Sequence, residues 1–548
     1  MVNYAFQPNY SPISTPDESE KLSTTIRLSE VFDAGVRLEA SAFSIEAHNA
    51  VTALENSGLQ LIPLYGEGGL CQEAHNAFRF RRIWVDSDRG VPFLSSSEIN
   101  SLRPRIVGYL SRKLTRNLEK LFIKKWDVLI SCSGTIGNVG LASDTFTGKA
   151  LSQDAIRLRA NDADTAGYIA AFLRSCYGRP QITQVIYGSV ISHIEPKHLE
   201  RVLIPDFPSI RRIAIGRLMC KAGELRDEAN RLLDEAERLL HERLNLPYLD
   251  SLRPTDKSAF ITKIKASKLM GRLESSFHDP VAIVAEKQLS ELSVEVTTVG
   301  DPRVTKEVRA ITRFRKRVYV EKGGIPLLSS KQLFQVDPVD IKGLAKGAHA
   351  THLPEIQLEE NMIAVTCSGT IGRVQIIPKY MADWTASQHA NRLLAALDMN
   401  PGYLYAWLAS DYGYCLMTRQ AYGSVILEFD REMLASVPIP LPEPSVTDEI
   451  GNLVLKANQL RDEAWHNEQD AINKIENLIV KQQTPQIQIN IAQQPSALSE
   501  LSFDPDAPPI WELVAGISAE VPDEEWKKLP TDLARRFDYY QKQRQGQD

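Results

Sequence analysis

Six cysteines in 548 residues stand far apart, at positions 71, 132, 176, 220, 367 and 415, with no C-x-x-C spacing and no neighbouring histidine set. That excludes a structural zinc site and points to reduced, mostly buried thiols. No run approaches the ~18 uninterrupted apolar residues of a membrane span, so no membrane partner is expected. The opening "MVNYAFQPNYSPISTPDESEK" has neither a basic n-region nor an apolar core, so no secretory signal is read and a cytoplasmic protein is expected. A G-x-G-x-x-G ahead of a helix is missing too, and "APPIW" near the C-terminus lacks the polar residue that adenine methylation needs before its two prolines. The chain is therefore not read as a methyltransferase, and no cofactor is expected on it.

What is present is repetition. "SCSGTIG" at 131–137 returns as "TCSGTIG" at 366–372, an offset of 235 (366 minus 131). At the same offset "RLEAS" at 37–41 returns as "RLESS" at 272–276, Ser152-Gln153 as Ser387-Gln388, "YGSVI" at 187–191 as 422–426, and "LRDEA" at 225–229 as 460–464. "GVPFLSS" at 90–96 returns as "GIPLLSS" at 324–330, shifted by 234. Repeats this long are duplicated domains rather than solenoid units, so the chain holds two copies of one module, about 23–245 and 258–480. The copies diverge chiefly over 42–89 against 277–323 and over 97–126 against 331–361. One scaffold carries two unlike inserts.

Each copy ends in a heptad helix. Leu218, Ala222, Leu225, Ala229, Leu232, Ala236 and Leu239 step by four and three, and the second copy repeats the register with Leu453, Ala457, Leu460, Ala464, Asn467, Ala471 and Leu478. This is an a/d coiled-coil seam, on which Asn467 would fix register at a cost in stability. The two helices are expected to pair with each other, antiparallel. A shorter amphipathic helix precedes each: Ile169, Phe172, Leu173 and Cys176 in one copy, Leu404, Trp407 and Leu408 in the other. "WDVLIS", "NVGLAS", "NMIAVT" and "RVQII" read as strands around the Ser-Gly-Thr turns, and "ERVLIPDFP" and "ASVPIPLPEP" as strands stopped by proline.

The net charge of −6 hides local contrast. Residues 75–127 hold twelve Lys or Arg against five Asp or Glu, and 302–346 hold eleven against four, each a net of +7. Arg79, Arg81 and Arg82 in "FRFRRIW" and Arg313, Arg315, Lys316 and Arg317 in "TRFRKRVYV" alternate with aromatics, which predicts a strand with one basic and one apolar face. Such a face suits phosphate contact, and arginine also suits guanine edges. Arg103, Arg105 and Lys331 extend the basic set. Ser95 and Ser96, with Ser329 and Ser330, adjoin the basic inserts as candidate groove-facing hydroxyls, as do Tyr187 and Ser189 with Tyr422 and Ser424; Tyr187 and Tyr422 read equally well as buried tyrosines with satisfied hydroxyls. In the turns, Gly134 and Gly369 serve backbone geometry, while Ser133, Thr135, Ser368 and Thr370 can donate to phosphate or cap local backbone. A nucleophilic role for Cys132, Cys367 or these serines would need a matched base. His193 corresponds to Glu428, so no catalytic residue and no metal ligand is assigned.

"DVLISCSGTIGNVGLA", and "YGSVISHIEPKHLERVLIPDFP" running into a long helix, in a unit that is duplicated whole, resemble the specificity subunit of type I restriction-modification systems. The resemblance spans about 23–480. It implies two target-recognition domains that each read half of a split site on double-stranded DNA, helices packed antiparallel as a spacer, and no catalytic activity in the chain. It also implies docking of two methyltransferase subunits, which would carry S-adenosylmethionine, and of restriction/translocase subunits. The expected fold is α+β: two tandem homologous mixed α/β domains, each followed by a long helix, the helices forming an antiparallel coiled coil, and a short helical C-terminal appendage. The boundaries run 1–22 for an N-terminal arm, 23–208 and 247–443 for the domains, 209–246 and 444–480 for the spacer helices, 481–496 for a Gln-rich linker, and 497–548 for an acidic appendage outside the family's pattern. A different class of function is also open: a non-DNA-reading scaffold, or an RNA- or protein-binding adaptor of a defence complex.

Overall fold

The computed structural model describes residues 43–184, 193–252, 264–269, 271–310, 316–320, 323–423 and 425–490. The chain divides into two compact units, Met1–Thr484 and Pro485–Asp548, and every element below begins in the first. The N-terminal arm and the acidic appendage read from the sequence lie outside the described residues, as does the linker beyond 490.

The first copy opens with α1 (Ile45–Glu55), β1 (Leu61–Pro63), β2 (Glu73–Asn76), β3 (Trp84–Val85), β4 (Gly90–Leu94) and β5 (Gly108–Ser111). It continues through β6 (Val128–Ser131), β7 (Val139–Leu141), β8 (Ala150–Leu151), β9 (Ala155–Arg159), α2 (Ala163–Arg174), α3 (Gly178–Gln184), β10 (Leu203–Pro205) and α4 (Ser209–Leu244). Two four-stranded sheets result, in the orders β2-β9-β6-β7 and β3-β5-β4-β8, with β1 paired to β10. The second copy runs α5 (Pro280–Ser290), β11 (Glu295–Thr298), β12 (Thr305–Arg309), β13 (Tyr319–Val320), β14 (Ile325–Leu328), β15 (Lys342–Leu344), α6 (Leu353–Ile356), β16 (Ile363–Thr366) and β17 (Val374–Ile376). It ends with β18 (Thr385–Ala386), β19 (Ala390–Ala395), α7 (Pro401–Ala409), α8 (Asp411–Thr418), α9 (Arg431–Ala435), β20 (Pro438–Leu441) and α10 (Pro444–Asn490).

The second copy's sheets are ordered β12-β19-β16-β17 and β13-β15-β14-β18, with β11 on β20, which is the first copy's topology strand for strand. Even the one parallel pairing recurs, Phe93 with Ala150 on β4–β8 and Leu327 with Thr385 on β14–β18. The central strands β6 and β16 are buried along their whole length, as their uninterrupted "VLIS" and "IAVT" require of strands covered on both faces. Tyr168 on α2 donates its hydroxyl to the Pro205 carbonyl at 2.6 Å, and Tyr403 on α7 does the same to Pro440 at 2.8 Å. Each core is thereby tied to the proline-stopped strand that leads into the long helix.

The long helices begin where glycines allow close crossing. A Cβ on Gly167 would strike the Gly216 carbonyl, and one on Gly402 would strike that of Gly451, so α2 lies against α4 and α7 against α10 by backbone contact. The helices α4 and α10 then pair with each other. Arg226 meets Glu468, Asn230 meets Arg461, and Arg243 meets Glu449, so numbers rise on one helix as they fall on the other. The pairing is antiparallel. α10 runs to Asn490, into the segment expected from 481 to be linker.

The buried stripe is wider than the expected seam. Ala222, Ala229, Ala236, Ala457, Ala464 and Ala471 are buried as expected, at 0–1% exposure. Leu225, Leu232, Leu239 and Leu460 are buried in one core cluster with most of them, at 7–9% exposure, while Leu218, Leu453 and Leu478 are half-buried. One position after the leucines, Met219, Leu233 and Leu240 on α4 and Val454, Arg461, Glu468 and Ile475 on α10 are buried as well, and Arg226 is half-buried. Asn467 is not a register-setting seam residue, because its amide donates to the Glu463 carbonyl of its own helix at 3.1 Å. The polar seam residue is its neighbour Glu468. It receives both ends of Arg174 at 2.8 and 2.9 Å and of Arg226 at 2.5 and 2.6 Å.

The copies also touch directly, through equivalent stretches. Ser101 bridges Gln335 in antiparallel fashion, the Leu102 amide donates to Phe334 at 2.8 Å, and the Val336 amide donates to Asn100 at 2.9 Å. Residues 101 and 335 are repeat mates at an offset of 234. A contact between the same positions of two copies is isologous, so an approximate twofold axis passes through this bridge.

Candidate nucleic-acid interface

The repeated phrase forms a tight turn at the end of each central strand. Gly134 and Gly137 have φ of 74° and 86°, and Gly369 and Gly372 have 75° and 74°, a region glycine enters without strain. Ser131 closes the first turn, its hydroxyl donating to the Thr135 carbonyl at 2.6 Å and accepting the Asn138 amide at 3.0 Å. Thr366 accepts the Arg373 amide at 3.0 Å in the second. These closing hydroxyls leave the next residues, Ser133, Thr135, Ser368 and Thr370, on the turn's outer side, all half-buried or exposed.

Three extended stretches lie side by side at each turn. In the first copy the Cys132 amide donates to Asp154 at 3.0 Å, the Ile194 amide donates to Cys132 at 3.1 Å, and Ser133 bridges His193. In the second, Cys367 donates to His389 at 2.9 Å, Phe429 donates to Cys367 at 3.0 Å, and Ser368 bridges Glu428. Next to each strip stands an arginine from the basic insert. Arg82 reaches the Gln153 side-chain oxygen at 3.5 Å, and Arg317 reaches that of Gln388. Arg82 and Arg317 are repeat mates, as are Gln153 and Gln388. The "SQ" phrase, legible as a repeat but not as a site, thus belongs to the strip.

In the first copy this strip borders a cleft of about 820 Å³ whose wall includes Arg79, Lys120, Lys124, Ser133, Gln153 and His193. Two expected contact residues, Arg79 and Ser133, are brought together there. Arg81 is exposed nearby, and Arg82 lies over the Phe93 ring at 5.2 Å. The alternating strand expected over "FRFRRIW" does not form. On that side β5 carries only two paired residues, Leu110 and Tyr109, so β3 is limited to Trp84–Val85 and the run before it has no ladder to join. Phe78 and Trp84 are consequently 44% and 46% exposed. Lys316, Lys331, Ser329 and Tyr422 are exposed and Ser330 half-buried, whereas Arg313, Arg315, Tyr187, Ser189 and Ser424 lie outside the described residues.

Other expected contacts have structural duties. Arg103 is committed to the first long helix, 2.5 Å from Asp234 and 3.3 Å from Glu237. Ser95 bonds Ser97 at 2.8 Å, and Ser329 accepts the Gln332 amide at 3.3 Å. These hydroxyls close turns. The Arg105 amide donates to Glu98 at 2.9 Å, which fixes the backbone that carries its guanidinium.

Beneath each strip sits an arginine that sequence reasoning missed. Arg157 and Arg392 are repeat mates, both at 0% exposure, and neither has a carboxylate within ion-pair distance among the described residues. Arg157 donates to the Leu151 carbonyl at 2.8 Å and Arg392 to Ala386 at 3.1 Å, again matched positions. Burial pulls both down to about 10, which leaves them cationic at neutral pH. Each therefore places an unneutralised charge under the strip and anchors the loop that carries Gln153 or Gln388. The signal was present in the sequence: comparing every position at the 235 offset pairs them.

Cys132 and Cys367 are the buried members of the turns, each donating its thiol to the carbonyl of the neighbouring glutamine at 3.6 Å. Burial pushes them up to about 12 and about 11, so both stay protonated at neutral pH and neither is an activated nucleophile. Among the described residues no helix is long and apolar enough to cross a membrane.

Two α+β modules of one topology, joined by antiparallel helices and each carrying the same arginine, glutamine and Ser-Gly-Thr turn, define a tandem-repeat architecture. Residues 307–454, from β12 into α10, match the family model described as the type I restriction modification DNA specificity domain. The match falls within the second copy, whose topology the first copy repeats strand for strand. The S subunit of a type I restriction-modification system from M. genitalium is 14% identical over 77% of this chain and 98% of its own, with a TM-score of 0.29. The HsdS subunit from Thermoanaerobacter tengcongensis is 14% identical over 79% and 96%, with a TM-score of 0.24. Likeness of this degree adds no weight beyond the family match. No curated protein matches the chain.

Proposed function

We propose that this chain is the non-catalytic DNA sequence-recognition subunit of a type I restriction-modification complex in the cytoplasm. It reads a bipartite site on double-stranded DNA, one half-site per domain. It docks two methyltransferase subunits, which supply S-adenosylmethionine and flip the target adenine, and restriction/translocase subunits. The observation that carries this reading is the recurrence, across an approximate twofold axis, of one strip bearing an arginine, a glutamine and a Ser-Gly-Thr turn. Duplex DNA is itself nearly twofold symmetric, so two such strips at fixed separation suit two half-sites.

The test is the salt dependence of duplex binding. Replacing Arg79, Arg81 and Arg82 together with Arg313, Arg315, Lys316 and Arg317 by Ala should weaken binding by the full chain. It should also flatten the slope of log K against log salt by roughly 0.9 for each phosphate that is no longer neutralised. An unchanged slope refutes the assignment of these residues to phosphate. The carboxylates in the cleft wall, Glu73, Glu119, Asp154 and Glu195, favour the protein-binding form of the adaptor reading, since they repel the phosphates of DNA and RNA alike. Competition of duplex DNA with RNA and with acidic protein separates the two.

A further inference from the structure

Within the two strips, most residues are the same and two are exchanged. Arg82, Gln153, Ser133 and Thr135 have identical mates in Arg317, Gln388, Ser368 and Thr370. The positions that flank the turn differ. Where the first copy has Asp154 on one side and His193 on the other, the second has His389 and Glu428. Their backbones are held alike, at 3.0 and 2.9 Å from the cysteine amide on one side and by the matched serine bridges on the other. All four side chains are half-buried, and Asp154 and His193 line the 820 Å³ cleft. A carboxylate and an imidazole thus occupy mirrored places in two otherwise equal frames.

Resting on the DNA-reading function proposed above, we infer that these four residues are specificity determinants that make the two half-sites differ. Groups identical in both readers must face what is common to both halves, which is phosphate or a shared base pair. Groups that differ are the ones able to tell the halves apart. A carboxylate only accepts, and so selects an exposed amino group such as cytosine N4; an imidazole N–H donates, and so selects an acceptor such as guanine N7 or O6. Exchanging them reverses the order of acceptor and donor along the strip. The local bonds are compatible with that role: Asp154 accepts from Ser152 at 2.7 Å, Glu428 accepts from Ser368 at 3.3 Å, and the Gln388 amide stands 3.2 Å from the His389 ring.

The experiment is selection by the full chain from a duplex pool with two randomised segments. The native protein should enrich two different half-sequences. Asp154→His with His193→Glu should rewrite one half only, changing preference at the affected positions by about five- to a hundredfold. His389→Asp with Glu428→His should rewrite only the other. Melting curves within a few degrees of native establish that these proteins fold. The gentler pair Asp154→Asn with His193→Gln should relax the same positions without rewriting them. Selected sequences that stay native in both exchanged proteins and in the gentler one overturn the inference while leaving DNA reading intact. A native chain that enriches nothing overturns the reading itself, and the inference with it.

Discussion

Glu468 shows what a single buried charge contributes. Its carboxylate is fully enclosed by Arg174 and Arg226, and Arg174 is also 3.2 Å from Asp337 of the second domain. One residue of α10 therefore clamps the first domain, the first long helix and, through Arg174, the facing domain. Burial works against its charge, but the two guanidiniums win and hold it down to about 2. Because the folded value is depressed, the stabilisation is fully present above the ordinary carboxylate pKa of about 4.3. It is lost as pH falls from there through about 2. Glu468→Gln leaves Arg226 without an ion-pair partner and Arg174 with Asp337 alone, and should cost roughly 3–5 kcal/mol, read from denaturant or thermal melting at pH 7. The same variant should flatten the loss of stability between pH 4.5 and 2. A variant as stable as the native chain at pH 7 would mean that the clamp contributes nothing.

The long helices show how far an amphipathic pattern can be read. Their existence, their starts at 209 and 444 and the alanine column were legible, because small residues at heptad spacing point to close packing whatever lies beside them. The buried stripe beside it is wider than the leucines that mark it, for two physical reasons. First, α4 is covered on two sides, by α10 and by α2, so its apolar stripe is wider than one seam and the leucines mark its edge. Second, Arg226, Arg461 and Glu468 are charged, and because such residues are almost never buried unless paired, an apolar pattern does not mark them. Arg226 and Arg461 are repeat mates with unequal surroundings. Arg226 has Glu468, whereas Arg461 is at 1% exposure with Asn230 at 3.4 Å and no carboxylate at ion-pair distance among the described residues. Opposite outcomes follow for the same substitution. Arg226→Leu should lower the melting temperature, and Arg461→Leu should raise it by up to a few kcal/mol of stability, as when apolar groups replace uncompensated buried charge. Equal effects at both sites would contradict this assignment. The strips were only partly legible for a related reason: repeated phrases marked the turn and the glutamines, whereas Arg157 and Arg392 pair only when single positions are compared at the 235 offset, and their burial shows only in the fold.

At the scale of the whole molecule the helices join the two modules and, in the DNA-reading function proposed above, serve as the strut that sets their separation. Their rise of ~1.5 Å per residue makes one heptad about 10.5 Å, or roughly three base-pair steps. Inserting one heptad into each helix, opposite one another, should therefore widen the gap between selected half-sites by about three base pairs and leave both half-sequences unchanged. Altered half-sequences at an unchanged gap would sink the strut model. The duplication itself was fully legible in the sequence, and with it the α+β class. The direct contact between domains was not, because Asn100, Ser101 and Leu102 sit in a divergent insert and match nothing in Phe334, Gln335 and Val336 by residue type.

That contact has a further implication. The bonds from Leu102 to Phe334 and from Val336 to Asn100 run between backbone groups, and neither depends on a covalent link between the two sides. They are satisfied equally when each side comes from a separate polypeptide, as are the antiparallel long helices. Crowding should then favour reciprocal exchange of halves, visible in sedimentation as a species of doubled mass whose share climbs with protein concentration.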